Sequence, residues 1–179
     1  MEIFMKRHML KLMLCLQFFN AVHAVPKAFF APVNNLTTLF LAKIAAEQKS
    51  IHGAIYMLTD KKIAQAFVDA KRRGIDVQLI IDQASMGSCG KGKMLQEGGV
   101  PVFVHRTQEF NSYTTPLMHN KFFVFGSNEE NKSLVWTGSW NCTVRGTLHN
   151  NENVILLDDQ LVIQQYLDTF FSLKDALIN

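Results

Sequence analysis

His119 and Lys121 stand two residues apart in the run Met118-His119-Asn120-Lys121-Phe122-Phe123-Val124-Phe125. On a β-strand, residues i and i+2 share a face and lie roughly 6–7 Å apart along the chain. The aromatic run that follows is a stiff, buried mount for both. An imidazole changes charge near neutral pH, and a lysine ammonium is a compact cation. These are residue types for nucleophilic or acid–base chemistry. Alone, a His-x-Lys pattern is weak, because such a pair is ordinary at the wet end of a strand. Here it has company. Gly138-Ser139-Trp140-Asn141 follows the next apolar run, and Asn151-Glu152-Asn153 precedes another. A small Gly138 lets backbone approach a ligand, and Ser139 and Asn141 alternate to one face of an extended segment. Glu152 is a carboxylate entering an apolar strand, where an unpaired charge is expensive. It wants a donor, and a histidine is a good one. Five polar groups from three adjacent strand ends can therefore converge.

The elements that must position them can be read from periodicity and caps. Asn34 or Asn35 caps a helix with Leu36, Leu39, Phe40 and Ile44 on one stripe. Ile51 to Met57 reads as a strand. Asp60 opens a second helix with Ile63, Ala66, Phe67 and Ala70 at helical spacing, closed by Gly74. Val77 to Ile81 is a short buried strand ending at Asp82. A glycine-rich loop, a short helix at Met94 to Glu97 and a strand at Val100 to Val104 follow. Leu117 to Phe125 and Leu134 to Thr137 are strands joined by a polar turn, which predicts an antiparallel pair. Val154 to Leu157 is a further strand, and Asp158 or Asp159 caps a last helix carrying Tyr166, Leu167 and Phe170. This order predicts an α/β fold: a mixed, largely parallel central sheet with helices on both faces.

Composition limits the alternatives. The chain has 179 residues, 48% apolar and 18% charged, which excludes a disordered chain and allows one sizeable core. Residues 1–24 have the layout of a secretory signal peptide: Lys6, Arg7 and Lys11, an apolar run from Met9 to Phe19, and Val22-His23-Ala24 before the cleavage point. An uncleaved membrane anchor is the alternative. The expectation is an exported protein, periplasmic or secreted, with one domain over 25–179. Loss of Glu2, Lys6, Arg7 and Lys11 takes the net charge from +3 to +1, so global charge predicts no polyanion partner. Cys89 and Cys142 stay in the mature chain, and their pairing is open. Gly87 to Lys93 has the spacing of a phosphate-cradling loop, but Met94 stands where such loops place Ser or Thr. It reads as a connection whose Lys91 and Lys93 could touch a polyanion at the rim. His52 reads as a hydrogen-bonded core residue, and His105 and His149 as loop histidines. With no C-x-x-C or H-E-x-x-H, no metal site is expected. Three glycosylation sequons begin at Asn35, Asn131 and Asn141 and matter only in a host that glycosylates.

His119, Lys121, Gly138, Ser139, Asn141 and Glu152 together resemble the short, single-motif members of the phospholipase D superfamily, over roughly residues 28–173. Their hallmark is H-x-K-x-x-x-x-D, then G-S-x-N or G-S-x-x-N, then a Glu beside an Asn. The hallmark aspartate falls at position 126, where this chain has Gly126; Glu129 or Glu130 could replace it from the adjoining turn.

The resemblance implies a phosphodiester hydrolase that needs no cofactor and no metal. His119 would attack phosphorus and form a phosphohistidine. Lys121, Ser139 and Asn141 would hold the phosphate, and Glu152 would orient the imidazole. Double displacement needs a second imidazole, and single-motif relatives pair motifs across a two-fold axis, so a homodimer with one composite site is implied. The leading substrate is DNA or RNA, cut with little sequence preference, with Lys91, Lys93 and Arg106 lining the path. Hydrolysis of a cardiolipin-type membrane lipid is the close alternative. A catalytically impaired nucleic-acid-binding protein, suggested by Gly126, is the other.

Overall fold

Phe40 is the hub of the larger core. Its ring lies 4.6 to 5.9 Å from those of Phe67, Phe123, Phe125, Trp136 and Trp140. It reaches them from α1 (Leu36–Ala46), which Asn35 starts by accepting from Thr38 N at 3.0 Å. Leu36, Phe40 and Ile44 form its buried stripe. The computed structural model describes residues 26–107, 115–128 and 131–178. The proposed leader, residues 1–24, lies outside them.

Seven strands make one sheet: β1 (Lys27–Ala31), β2 (Ser50–Ile55), β3 (Asp76–Asp82), β4 (Val102–His105), β5 (Lys121–Phe125), β6 (Leu134–Gly138) and β7 (Glu152–Leu157). Their order is β1-β7-β6-β5-β2-β3-β4. The β2–β3 and β3–β4 pairs are parallel, and the other four are antiparallel. Five strands therefore run one way, with β5 and β7 against them. The mixed α/β fold expected from the sequence is the one observed, but the sheet is not largely parallel: antiparallel pairs outnumber parallel ones four to two. Parallel pairing is confined to β2, β3 and β4, which follow one another through helix-containing crossovers.

Helices cover both faces. On the Phe40 side, α1 is joined by α2 (Lys61–Arg72), α3 (Gly92–Glu97) and α4 (Val144–Leu148). Asp60 caps α2 through Lys62 N at 2.8 Å. On the other face, α5 (Gln160–Ile178) packs Ile163 and Phe170 on Ala54, Ile80, Phe122, Val124 and Val135. Asp159, one of the two predicted caps, accepts from Leu161 N and Val162 N. His52 is a core histidine: it pairs with Asp76 at 2.9 Å and stacks on Phe170.

The structure adds two elements, revises one reading and answers one open question. β1 and α4 were not predicted: β1 is an edge strand defined by distant β7, and α4 is a five-residue turn of helix. His105 is not a loop histidine but ends β4, with Nδ1 3.7 Å from Asp82. Cys89 and Cys142 are both free thiols, one exposed and one buried. Burial pushes the Cys142 thiol well above its ordinary pKa, with the nearby Asp60 carboxylate adding to the rise.

Candidate active site

All the chemistry-bearing residues fall at one edge of the sheet. Because β5 and β7 oppose the others, the starts of these two strands lie beside the ends of β2, β3, β4 and β6. Lys121 opens β5 and His119 lies two residues before it, so the strand expected from Leu117 begins only at Lys121; Ser139 and Asn141 follow β6, and Glu152 begins β7. Arg106 follows β4. Lys91 donates its backbone N–H to Leu58, just beyond β2, at 3.0 Å.

His119 and Lys121 face the same way, as their spacing requires. Lys121 Nζ donates to the His119 carbonyl at 2.8 Å and lies 3.2 Å from ring Nδ1. Both rest on Tyr56, whose ring centroid is 4.6 Å from the imidazole and 5.5 Å from Nζ. Tyr56 is a site residue that sequence reading missed. Its signal was a polar-tipped aromatic at the point where the apolar β2 run ends. Partial burial lowers the Lys121 pKa from the ordinary lysine value, and the Glu152 carboxylate partly offsets this.

Buried Asp82 holds the approach to β5. It accepts from Met118 N at 3.2 Å and from Ala84 N at 3.0 Å. This fixes the residue before His119 to the end of β3.

Glu152 finds donors other than the imidazole. Ser139 Oγ donates to one carboxylate oxygen at 2.5 Å, and Asn150 Nδ2 to the other at 3.0 Å. No hydrogen bond or ion pair joins Glu152 to His119 within the chain. The reason is local: β6 and β7 are neighbours, so Ser139 meets Glu152 directly, while β5 is one strand further on. Ser139 Oγ also accepts from Asn153 N at 3.0 Å, so its proton is committed to Glu152. Asn141 Oδ1 accepts from Met57 N at 3.2 Å, which leaves its amide nitrogen to donate. Lys121 and Asn141 are thus the donors that can turn to an anion, while Ser139 and Glu152 brace the edge. Gly138 approaches the β7 backbone rather than a ligand, since a Cβ there would collide with the Asn153 carbonyl.

Gly126 lies just past the far end of β5, seven residues from His119 and about 23 Å away at strand rise. An aspartate at position 126 would therefore stand well away from His119 and Lys121. Glu129 and Glu130, suggested as replacements, lie outside the described residues. Buried Glu47 occupies this region instead. One of its oxygens accepts from Lys49 N, Ser50 N and Ser127 N at 2.8 to 2.9 Å.

The glycine-rich loop is a packing device. A side chain at Gly90 would strike the Ser85 carbonyl, and one at Gly92 would strike Met86 and Ile81. Among the described residues, no cluster of His, Cys, Asp and Glu could hold a metal ion.

The arrangement has counterparts. Residues 40–174 match the family model described as cardiolipin synthase, PLD-like domain. A phospholipase D of Rickettsia typhi is 30% identical over 147 residues, 81% of this chain and 66% of the relative. A mitochondrial cardiolipin hydrolase of Xenopus tropicalis is 30% identical over 124 residues, 69% of this chain and 53% of the relative. The chain thus spans about two thirds or less of these two curated relatives. Two solved structures share the fold. Nuc from Salmonella typhimurium, a phospholipase D family member, has a TM-score of 0.69 at 24% identity, covering 86% of this chain and 95% of Nuc. NucT from Helicobacter pylori has a TM-score of 0.71 at 21% identity, covering 83% of this chain and 94% of NucT. With the family model spanning most of the sheet and every residue from His119 to Glu152, the chain belongs to the phospholipase D-like family.

Proposed function

We propose that this chain is a phosphodiesterase, and specifically a nuclease with little sequence preference that works as a homodimer through a phosphohistidine. The observation that carries the reading is the exposed His119 ring beside the Lys121 ammonium, both held on Tyr56 at one sheet edge. Neutral His119 attacks phosphorus while Lys121 and the Asn141 amide hold the non-bridging oxygens. The P–O bond to the leaving group breaks as the P–N bond forms, and a second imidazole protonates the departing oxygen. That same imidazole then takes a proton from water. The resulting hydroxide displaces the phosphoryl group from His119 and releases a phosphate monoester. Glu152 contributes by fixing Ser139 and by offsetting charge at Lys121. The steps require no metal ion.

The need for two imidazoles favours two copies, because the chain has a single H-x-K. Exposed apolar side chains also favour pairing: Val144 and Leu148 lie one helical turn apart on α4, between Asn141 and Glu152. Lys91 and Arg106 near this sheet edge, with exposed Lys93 in the adjoining α3, favour a polyanionic substrate. A second reading, cleavage of a cardiolipin-type phospholipid, is favoured by the names of the relatives at 30% identity. An exported location, with residues 1–24 removed, is part of the proposal.

One experiment tests the mechanism and the substrate together. The protein is quenched during turnover of 32P-labelled plasmid DNA, RNA or cardiolipin vesicles, and the label is sought on His119. Labelled His119 with nucleic acid and not with vesicles is the expected result. Label from vesicles alone selects the lipid reading. Turnover that labels no histidine, or strong inhibition by EDTA reversed by a divalent ion, overturns the mechanism. Binding without turnover of any substrate overturns the enzymatic reading.

A further inference from the structure

Phosphoryl transfer to a neutral imidazole leaves a cation. As one ring nitrogen gives its lone pair to phosphorus, the other keeps its proton, and the ring gains a positive charge. Glu152, expected to orient the imidazole, is engaged by Ser139 and Asn150 instead. Among the described residues, no carboxylate hydrogen-bonds or ion-pairs with the His119 ring. Lys121 adds to the imbalance, since its Nζ lies 3.2 Å from His119 Nδ1 and like charges repel. The group that does lie against the ring is Tyr56. Its centroid is 4.6 Å from that of the imidazole and 5.5 Å from Lys121 Nζ. Both distances fall within the roughly 6 Å over which an aromatic face attracts a cation. The Tyr56 backbone is fixed on both sides. Its N–H donates to the carbonyl of Asn120, the residue between His119 and Lys121, at 2.9 Å. Its own carbonyl accepts from the Oγ of fully buried Ser85 at 3.0 Å, and that Oγ accepts from Leu58 N at 2.9 Å. The face is therefore in place before any charge develops.

We infer that the aromatic face of Tyr56 stabilises the cationic His119 ring formed on phosphoryl transfer, and steadies the Lys121 ammonium beside it. Within the chain it takes the part expected of Glu152. Tyr56 acts through these two residues, as a positioning residue whose π face matters more than its hydroxyl. The assignment rests on His119 as the attacking group of the proposed reaction. The P–O bond breaks as the P–N bond forms, and the leaving oxygen keeps the electron pair and takes a proton from the second imidazole. Tyr56 exchanges neither proton nor electron.

Replacing Tyr56 in the full chain by phenylalanine, then by mono-, di- and trifluorophenylalanine, withdraws electron density from the face with little change of shape. Two rates are read across this series. One is single-turnover cleavage of plasmid DNA. The other is phosphorylation of His119 by phosphoramidate, located by mass spectrometry. That reagent passes its phosphoryl group to the imidazole and releases ammonia, so the same P–N bond forms without any diester. Both rates should fall stepwise with fluorine, by about tenfold over the series, at an unchanged thermal midpoint. Tyr56→Leu should be at least as slow as the trifluoro variant, while Tyr56→Phe stays near the parent. Rates that are level across the series would overturn the assignment, as would a thermal midpoint falling in step with them. A phosphoramidate rate that falls with fluorine in a chain cleaving neither nucleic acid nor lipid would uphold Tyr56 and sink the proposed function. Cleavage through labelled His119 with a level series would do the opposite.

Discussion

The two ends of β5 treat polar side chains in opposite ways. At its start, His119 is exposed, Lys121 half-buried, and both lie against one aromatic ring. At its end, Gly126 has no side chain, and the neighbouring Glu47 is 3% exposed with one oxygen engaged by three backbone N–H groups. Polar groups are left available where chemistry is proposed and consumed by backbone where the strand is anchored. A departure from a family motif therefore means different things at the two ends. At the start it would remove a reacting group; at the end it is a change of fastening.

This contrast can be broken by substitution at either end. The largest effect belongs to the start. His119→Ala should lower phosphodiester turnover by about a thousandfold or more while leaving the thermal midpoint unchanged, since the ring is exposed. A shared loss of activity and stability would erase the distinction. Glu47→Ala should do the reverse. Freeing three N–H groups is expected to cost about 3 kcal/mol, read as a lower urea midpoint, with turnover of the folded fraction retained.

Gly126→Asp restores the hallmark residue, yet its Cβ would meet Ser50 Oγ, and its charge would enter the region of Glu47. A loss of about 1–2 kcal/mol with no gain in turnover is expected. Increased turnover would show that position 126 does reach the reaction centre. The smallest effect is electrostatic. Glu152 holds the Lys121 pKa up against burial, so Glu152→Gln should lower it further. The alkaline limb of the pH–rate profile should then move to lower pH. An unmoved limb would separate Glu152 from Lys121.

Much of this was legible in the residues. Period-2 and helical spacing located the core strands and α1, α2 and α5, because each buries a continuous apolar stripe. The H-x-K pair, Ser139, Asn141 and Glu152 do share one sheet edge, since each sits at the boundary of such a stripe. What stayed hidden depends on distant pairing. β1 gains its identity from β7, more than a hundred residues away. Tyr56 and Asp82 gain theirs from packing on β5 and its approach. The partners of Glu152 followed from strand order, which spacing does not encode. Histidine was the natural donor to expect, yet adjacent Ser139 and Asn150 took its place.

The close contact of Gly138 with the Asn153 carbonyl has a further consequence. Strand side chains alternate faces, so sliding β7 by one position against β6 would turn Glu152 away from Ser139. A residue with a Cβ at 138 would push the two backbones apart and invite that slip. Gly138 thus acts as an alignment pin, and a preparation in which these strands were mispaired would keep its helices yet lack an assembled catalytic edge.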